Sequence, residues 1–105
     1  MPAVENYSVM FIGTPVDLSH ARISLYGRGP EIAFIRFIDP GRTLARDYLS
    51  GDIINMHLPS AMLGSVLDVL RNEKPLYISY IADPTTAGMG MAFFGTAPEP
   101  AGEAE

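Results

Sequence analysis

The sequence predicts an α+β domain: an antiparallel sheet of five or six strands with one amphipathic helix on one face, in the order ββββαββ. Three observations lead there. Short runs rich in β-branched and aromatic residues alternate with Pro/Gly turn signals. One stretch, 59–72, carries apolar residues at helical spacing. The chain has 105 residues, 48% hydrophobic and 18% charged, which suits one folded domain and excludes disorder over most of its length.

The strands are expected at 7–13, 22–26, 31–38, 53–58, 76–82 and 91–96, each too short for an average helix. In 22–26, Ile23 and Leu25 share a face. In 53–58, Ile54, Met56 and Leu58 share one, with Asn55 and His57 opposite. Turns separate these runs. Gly27-Arg28-Gly29-Pro30 reads as a hairpin loop, and Asp39-Pro40-Gly41-Arg42 suits a type II turn with glycine at the positive-φ position. Ser50-Gly51-Asp52 and the stretch 83–88 are two further breaks. The stretch 43–49 has no clear period and is open to a helical turn.

In the helix, Leu63, Val66, Leu67 and Leu70 form one stripe that Met62 and Val69 widen. Pro59 suits a first-turn position, Ser60 an N-cap, and Lys74-Pro75 a stop. Gly64 costs about 1 kcal/mol relative to alanine in a helix interior, which suggests close approach to the sheet. The expected domain covers 1–97. Residues 98–105 hold no large apolar side chain and read as a flexible acidic tail. The formal net charge is −5, from 12 acidic and 7 basic residues, and the tail supplies three of the acids.

Two strands are apolar on both faces. In 31–38, Ile32, Phe34 and Ile38 oppose Ala33, Ile35 and Phe37. In 76–82, Leu76, Ile78 and Tyr80 oppose Tyr77 and Ile81. One helix covers one face, so the other calls for barrel closure, a ligand or a second copy of the chain. The first expectation for function is therefore a small non-enzymatic interaction module that homo-oligomerises, as a homodimer in the simplest case. Its expected interface residues are Phe34, Phe37, Tyr77 and Tyr80.

Charge gives the first alternative. From Leu18 to Arg46 the chain holds five arginines against Glu31 and Asp39, interleaved with aromatics. Arg22, Arg28, Arg36 and Arg42 with Tyr26 could hold phosphates and stack bases as single-strand binders do, although the whole chain is acidic. The second alternative is a small ligand-binding barrel or enzyme with a pocket near Asn55 and His57. Catalytic signatures are missing. Gly27-Arg28-Gly29 and Gly88-Met89-Gly90 lack the rest of a nucleotide-binding loop, Ser65 and Asp68 lack a nucleophile elbow, and no cysteine is present. No metal or cofactor is expected, since two histidines without cysteine make a metal site only with carboxylates. The first residues carry no basic or apolar leader and no run approaches the roughly 20 apolar residues of a membrane span, so the expected setting is the cytoplasm.

Overall fold

The computed structural model describes residues 3–16 and 19–96. The strands are β1 (Ala3–Val4), β2 (Asn6–Val16), β3 (Ser19–Tyr26), β4 (Glu31–Ile38), β5 (Asp47–Ser50), β6 (Ile53–Pro59), β7 (Leu76–Ala82) and β8 (Met89–Thr96). A 3-10 turn (Ser60–Met62) leads into α1 (Leu63–Asn72) between β6 and β7. All eight strands belong to one sheet, ordered β1-β7-β8-β5-β6-β4-β3-β2. The two ends of that order, β1 and β2, are consecutive in the chain. Glu5 alone separates them, and its N–H donates to the Tyr26 carbonyl at 2.8 Å. Ala3 and Val4 pair with Tyr77 and Leu76, so the sheet curls round into a nearly closed barrel.

The expected sheet of five or six antiparallel strands in the order ββββαββ is therefore corrected. Among the described residues there are eight strands, six precede the helix, and β4 and β6 run parallel. The reason is physical. β1 has two residues and β5 has four, too few for a period to register. Because β5 sits on the far side of β6, the chain leaves β4, makes an antiparallel excursion and returns alongside it. The stretch left open at 43–49 ends in β5, with no helical turn. The acidic tail lies outside the described residues.

The faces follow strand alternation. Ala21, Ile23 and Leu25 of β3, Ala33, Ile35 and Phe37 of β4, Ile54 and Met56 of β6, Ile78 of β7 and Ala92 of β8 form one interior. The helix joins it through Val66 and Leu70, with Leu63, Leu67 and Val69 packed alongside, as the stripe predicts. Neither helical start carries a side-chain cap, so Ser60 does not cap, and Pro59 sits before the first turn in extended conformation. Gly64 is exposed and a methyl group there would meet nothing within 4 Å, so close approach to the sheet is not its reason. At the Asp39–Arg42 turn the expected geometry is present: Gly41 has φ 82° and the Arg42 N–H donates to the Asp39 carbonyl.

Gly90 is the glycine that packing demands. A Cβ built there would lie 2.8 Å from the Tyr80 ring and nearer still to the Ile81 carbonyl oxygen. Tyr80 therefore lies across β8 over a position with no side chain. Gly90→Ala should cost about 1–3 kcal/mol, the range for overpacking, whereas Gly95→Ala, which meets nothing, should shift stability by no more than about 0.5 kcal/mol. Urea denaturation of the two variants checks the contrast, and equal effects would refute this account.

Candidate functional site

The outer wall of the barrel carries two surfaces of different chemistry. The first spans β3, β4 and β6. Arg22 stands directly opposite Arg36 in the β3–β4 ladder, and Arg36 stands beside His57 in the β4–β6 ladder. The Arg22 guanidinium carbon lies 4.8 Å from the centroid of the Phe34 ring, and that of Arg36 lies 5.4 Å from it. Two cations share one aromatic ring, an attraction of about 0.5–1 kcal/mol each at exposed sites. The Arg36 Nη1 donates to Asn55 Oδ1 at 2.6 Å, and the Asn55 amide nitrogen donates to the Ile53 carbonyl. Asn55 and His57 are only 3% and 8% exposed although they point away from the interior. The Tyr48 ring lies 5.8 Å from that of His57.

Behind His57 sits a residue that sequence reasoning missed. Asp47 begins β5, and beyond it β6 and β8 run on with no strand between them. Its Oδ1 accepts the His57 backbone N–H at 2.8 Å and its Oδ2 accepts the Ala92 backbone N–H at 2.9 Å. One carboxylate thus takes a donor from each diverging strand. The His57 Nδ1 is 3.5 Å from the same Oδ1. No spacing rule signals this, because the partners are main-chain amides remote in sequence.

Past Asp47 the split between β6 and β8 forms a groove of about 350 Å³, floored by Val66 and Val69 of the helix and walled by Met56, Leu58 and Phe94. These are inner-face residues of β6 and β8, so the groove is apolar and does not coincide with the outward Asn55 and His57. Among the described residues no three of His, Cys, Asp or Glu gather where a metal could bind, and no helix is long and apolar enough to cross a membrane. His20, the other histidine, pairs with Asp39 at 2.7 Å on the β3–β4 rim.

The second surface is the outer side of β7 and β8. Tyr77, Ser79 and Ile81 stand opposite Gly95, Phe93 and Met91. Ile81, Met91 and Phe93 are 62%, 55% and 43% exposed. Neither strand holds a charged residue.

The expected interface set is divided between these surfaces and the interior. Phe37 is completely buried. Tyr80 faces inward over Gly90. Phe34 lies under the two guanidiniums, and Tyr77 faces outward on β7. Of the expected arginine set, Arg22 and Arg36 come together. Tyr26 lies further along the same face, its hydroxyl 3.4 Å from Ser8 Oγ. Arg28 is exposed in the loop leading into β4 and Arg42 in the turn leaving it, at opposite ends of that strand. Comparison with protein-family models, with curated proteins and with solved structures finds no match to this chain.

Two predictions follow from the β5 end of this region. Asp47→Ala leaves two main-chain donors without their acceptor and should cost about 1–3 kcal/mol for each buried donor left unpaired. Hydrogen exchange at the His57 and Ala92 amides should accelerate before the rest of β6 and β8, and unchanged protection would refute the bridging role. Next to it, Arg46 Nη2 donates to Asp83 Oδ2 at 2.8 Å, while the Thr85 N–H and hydroxyl donate to Asp83 Oδ1. The Arg46 hydrogen bond, and then those of Thr85, hold the Asp83 carboxyl well below its ordinary value of 3.8. A depressed folded value means that the contribution is complete above about 3.8 and fades as the pH falls below it. Carboxyl titration by NMR should show the depressed midpoint, and Arg46→Gln should raise it towards 3.8.

Proposed function

We propose that this chain is a non-enzymatic interaction module that self-associates, in the simplest case as a two-fold dimer, through the outer face and open edge of β7–β8. The observation that carries this reading is an exposed apolar strip on two strands without a single charged residue. A two-fold contact sets a patch against its own copy, so any charge near the axis meets its like. On a chain of net charge −5, an uncharged strip is the surface best suited to contact with another copy of itself.

The edge supports the same reading. β1 covers β7 only at Leu76 and Tyr77. From Ile78 to Ala82, β7 has no described strand on that side. Lone edges are usually guarded by lysine, proline or a bulge, because unpaired main-chain groups recruit another strand. Ser79, Tyr80, Ile81 and Ala82 supply no such guard. Of the residues expected at an interface, Tyr77 belongs to this surface. The surface also takes in Ile81, Met91 and Phe93, which the expected interface set did not include.

Size-exclusion chromatography with light scattering tests the proposal. The expected mass is about twice the 11.4 kDa of one chain. Ile81→Lys, which places a cation against its own copy, should return it to 11.4 kDa with an unchanged circular dichroism spectrum. A wild-type mass of 11.4 kDa up to about millimolar concentration would overturn the reading, since specific homodimers bind far more tightly than that.

A further inference from the structure

A separate site stands on observations independent of β7–β8. At one rim of the barrel, Ile38 ends β4 beside Pro59, which ends β6. There the two stretches of chain part. One enters the Asp39–Arg42 turn, and the other enters the 3-10 turn at Ser60. Between them lies a cavity of about 300 Å³. Ile38, Leu44 and Pro59 give it apolar walls, and Asp39, Arg42 and Ser60 are its polar lining.

These polar groups are oriented but not used up. A carboxylate only accepts, so the His20 Nδ1 donates to Asp39 Oδ2, at 2.7 Å. That bond holds the carboxylate and leaves its Oδ1 with no partner among the described residues. Arg42 is exposed, and its guanidinium makes no hydrogen bond or ion pair among them. The Ser60 hydroxyl caps neither the 3-10 turn nor the helix. The turn keeps the two charges close, since its first and fourth residues have Cα atoms within about 7 Å. Gly41 at φ 82° and the Arg42 N–H bond to the Asp39 carbonyl fix that geometry. Opposite charges so near, lining one cavity and not paired with each other, suit a ligand that carries both signs.

We propose that this cavity binds a free α-amino acid with an aliphatic side chain. The ligand's ammonium donates to Asp39 Oδ1, and its carboxylate accepts from the Arg42 guanidinium. Its side chain lies against Ile38, Leu44 and Pro59. Both polar contacts are charge-assisted, and the guanidinium fork matches a carboxylate. Other ligand classes answer only part of the site. An anion gains Arg42 and is repelled by Asp39, a cation meets the reverse, and an uncharged molecule leaves both charges unmatched. The cavity is at the small end of ligand sites. That size suits one amino acid better than a peptide, whose two termini stand further apart.

NMR titration of the full chain with L-leucine, read at the Arg42 and Leu44 amides, is the test. Saturable shifts are expected there, with a dissociation constant at or below about 1 mM. Leucinamide lacks the carboxylate and isocaproate lacks the ammonium. Each should bind about tenfold more weakly than leucine, the loss of one charge-assisted contact. Arg42→Gln should also weaken leucine about tenfold. It should leave leucinamide unchanged, because the group Arg42 serves is already gone. A merely structural role for Arg42 would weaken both ligands. Arg28→Gln, at the other end of β4, should alter neither. Should Arg42→Gln fail to fold, the three ligands on the wild-type chain still read the site. The proposal is overturned if no saturable shift appears up to about 10 mM leucine, or if shifts centre elsewhere. It is equally overturned if leucinamide or isocaproate binds as tightly as leucine, or if Arg42→Gln weakens leucine and leucinamide alike.

Discussion

The fold depends on how one carboxylate resolves a mismatch in strand length. β5 is four residues long and lies between two strands roughly twice its length. Where it ends, β6 and β8 face each other with no ladder between them and main-chain donors exposed at the point of divergence. Buried amides without acceptors cost about 1–3 kcal/mol each. Asp47 supplies the acceptors for both sides at once. Below that point the split need not close, and the helix fills the opening with Val66 and Val69. The short strand, the bridging acid and the helix are thus one solution to the same geometric problem.

That solution explains the pattern of what could be read from the sequence. The boundaries of β4 and β7 agree with expectation to the residue, because both are continuous apolar runs between strong turn signals. The helix's stripe from Leu63 to Leu70 was legible from spacing, but α1 begins only at Leu63, after a 3-10 turn, and Met62 is exposed. The strand count was not. Ala3–Val4 and Asp47–Ser50 make pairing contacts too short to impose a period, yet they decide whether the sheet is open or curled. The parallel β4–β6 pair was hidden for a different reason: it depends on where β5 docks, and nothing in β4 or β6 records that. Curling lets the sheet cover its own inner face together with the helix, while outer-face residues such as Ile81 and Phe93 stay exposed.

At the candidate sites the same division holds. Alternation placed Arg22, Phe34 and Arg36 on strands, but only the β3–β4 register brings the two guanidiniums to one ring. Asn55 and His57 were singled out as a polar face opposite an apolar one, which is where they lie, with Arg36, Tyr48 and Asp47 beside them. The barrel wall is consequently divided. Cations and amides occupy β3, β4 and β6, and uncharged apolar residues occupy β7 and β8.

The switch of pairing partner at Glu5 joins the two ends of the sheet. It makes Ala3 and Val4 meet Tyr77 and Leu76, which lie toward the far end of the chain's sequence. Hairpins such as β2–β3 and β7–β8 are local and form within about 1–10 μs as elementary events. The seam joins distant stretches of chain and carries a large loop-closure entropy for a gain of two paired residues. The seam is thus a pairing with few residues to hold it against its closure cost. Barrel closure and core packing therefore meet at one place, since Val4 pairs with Leu76, a residue of the core, and packs against that core itself.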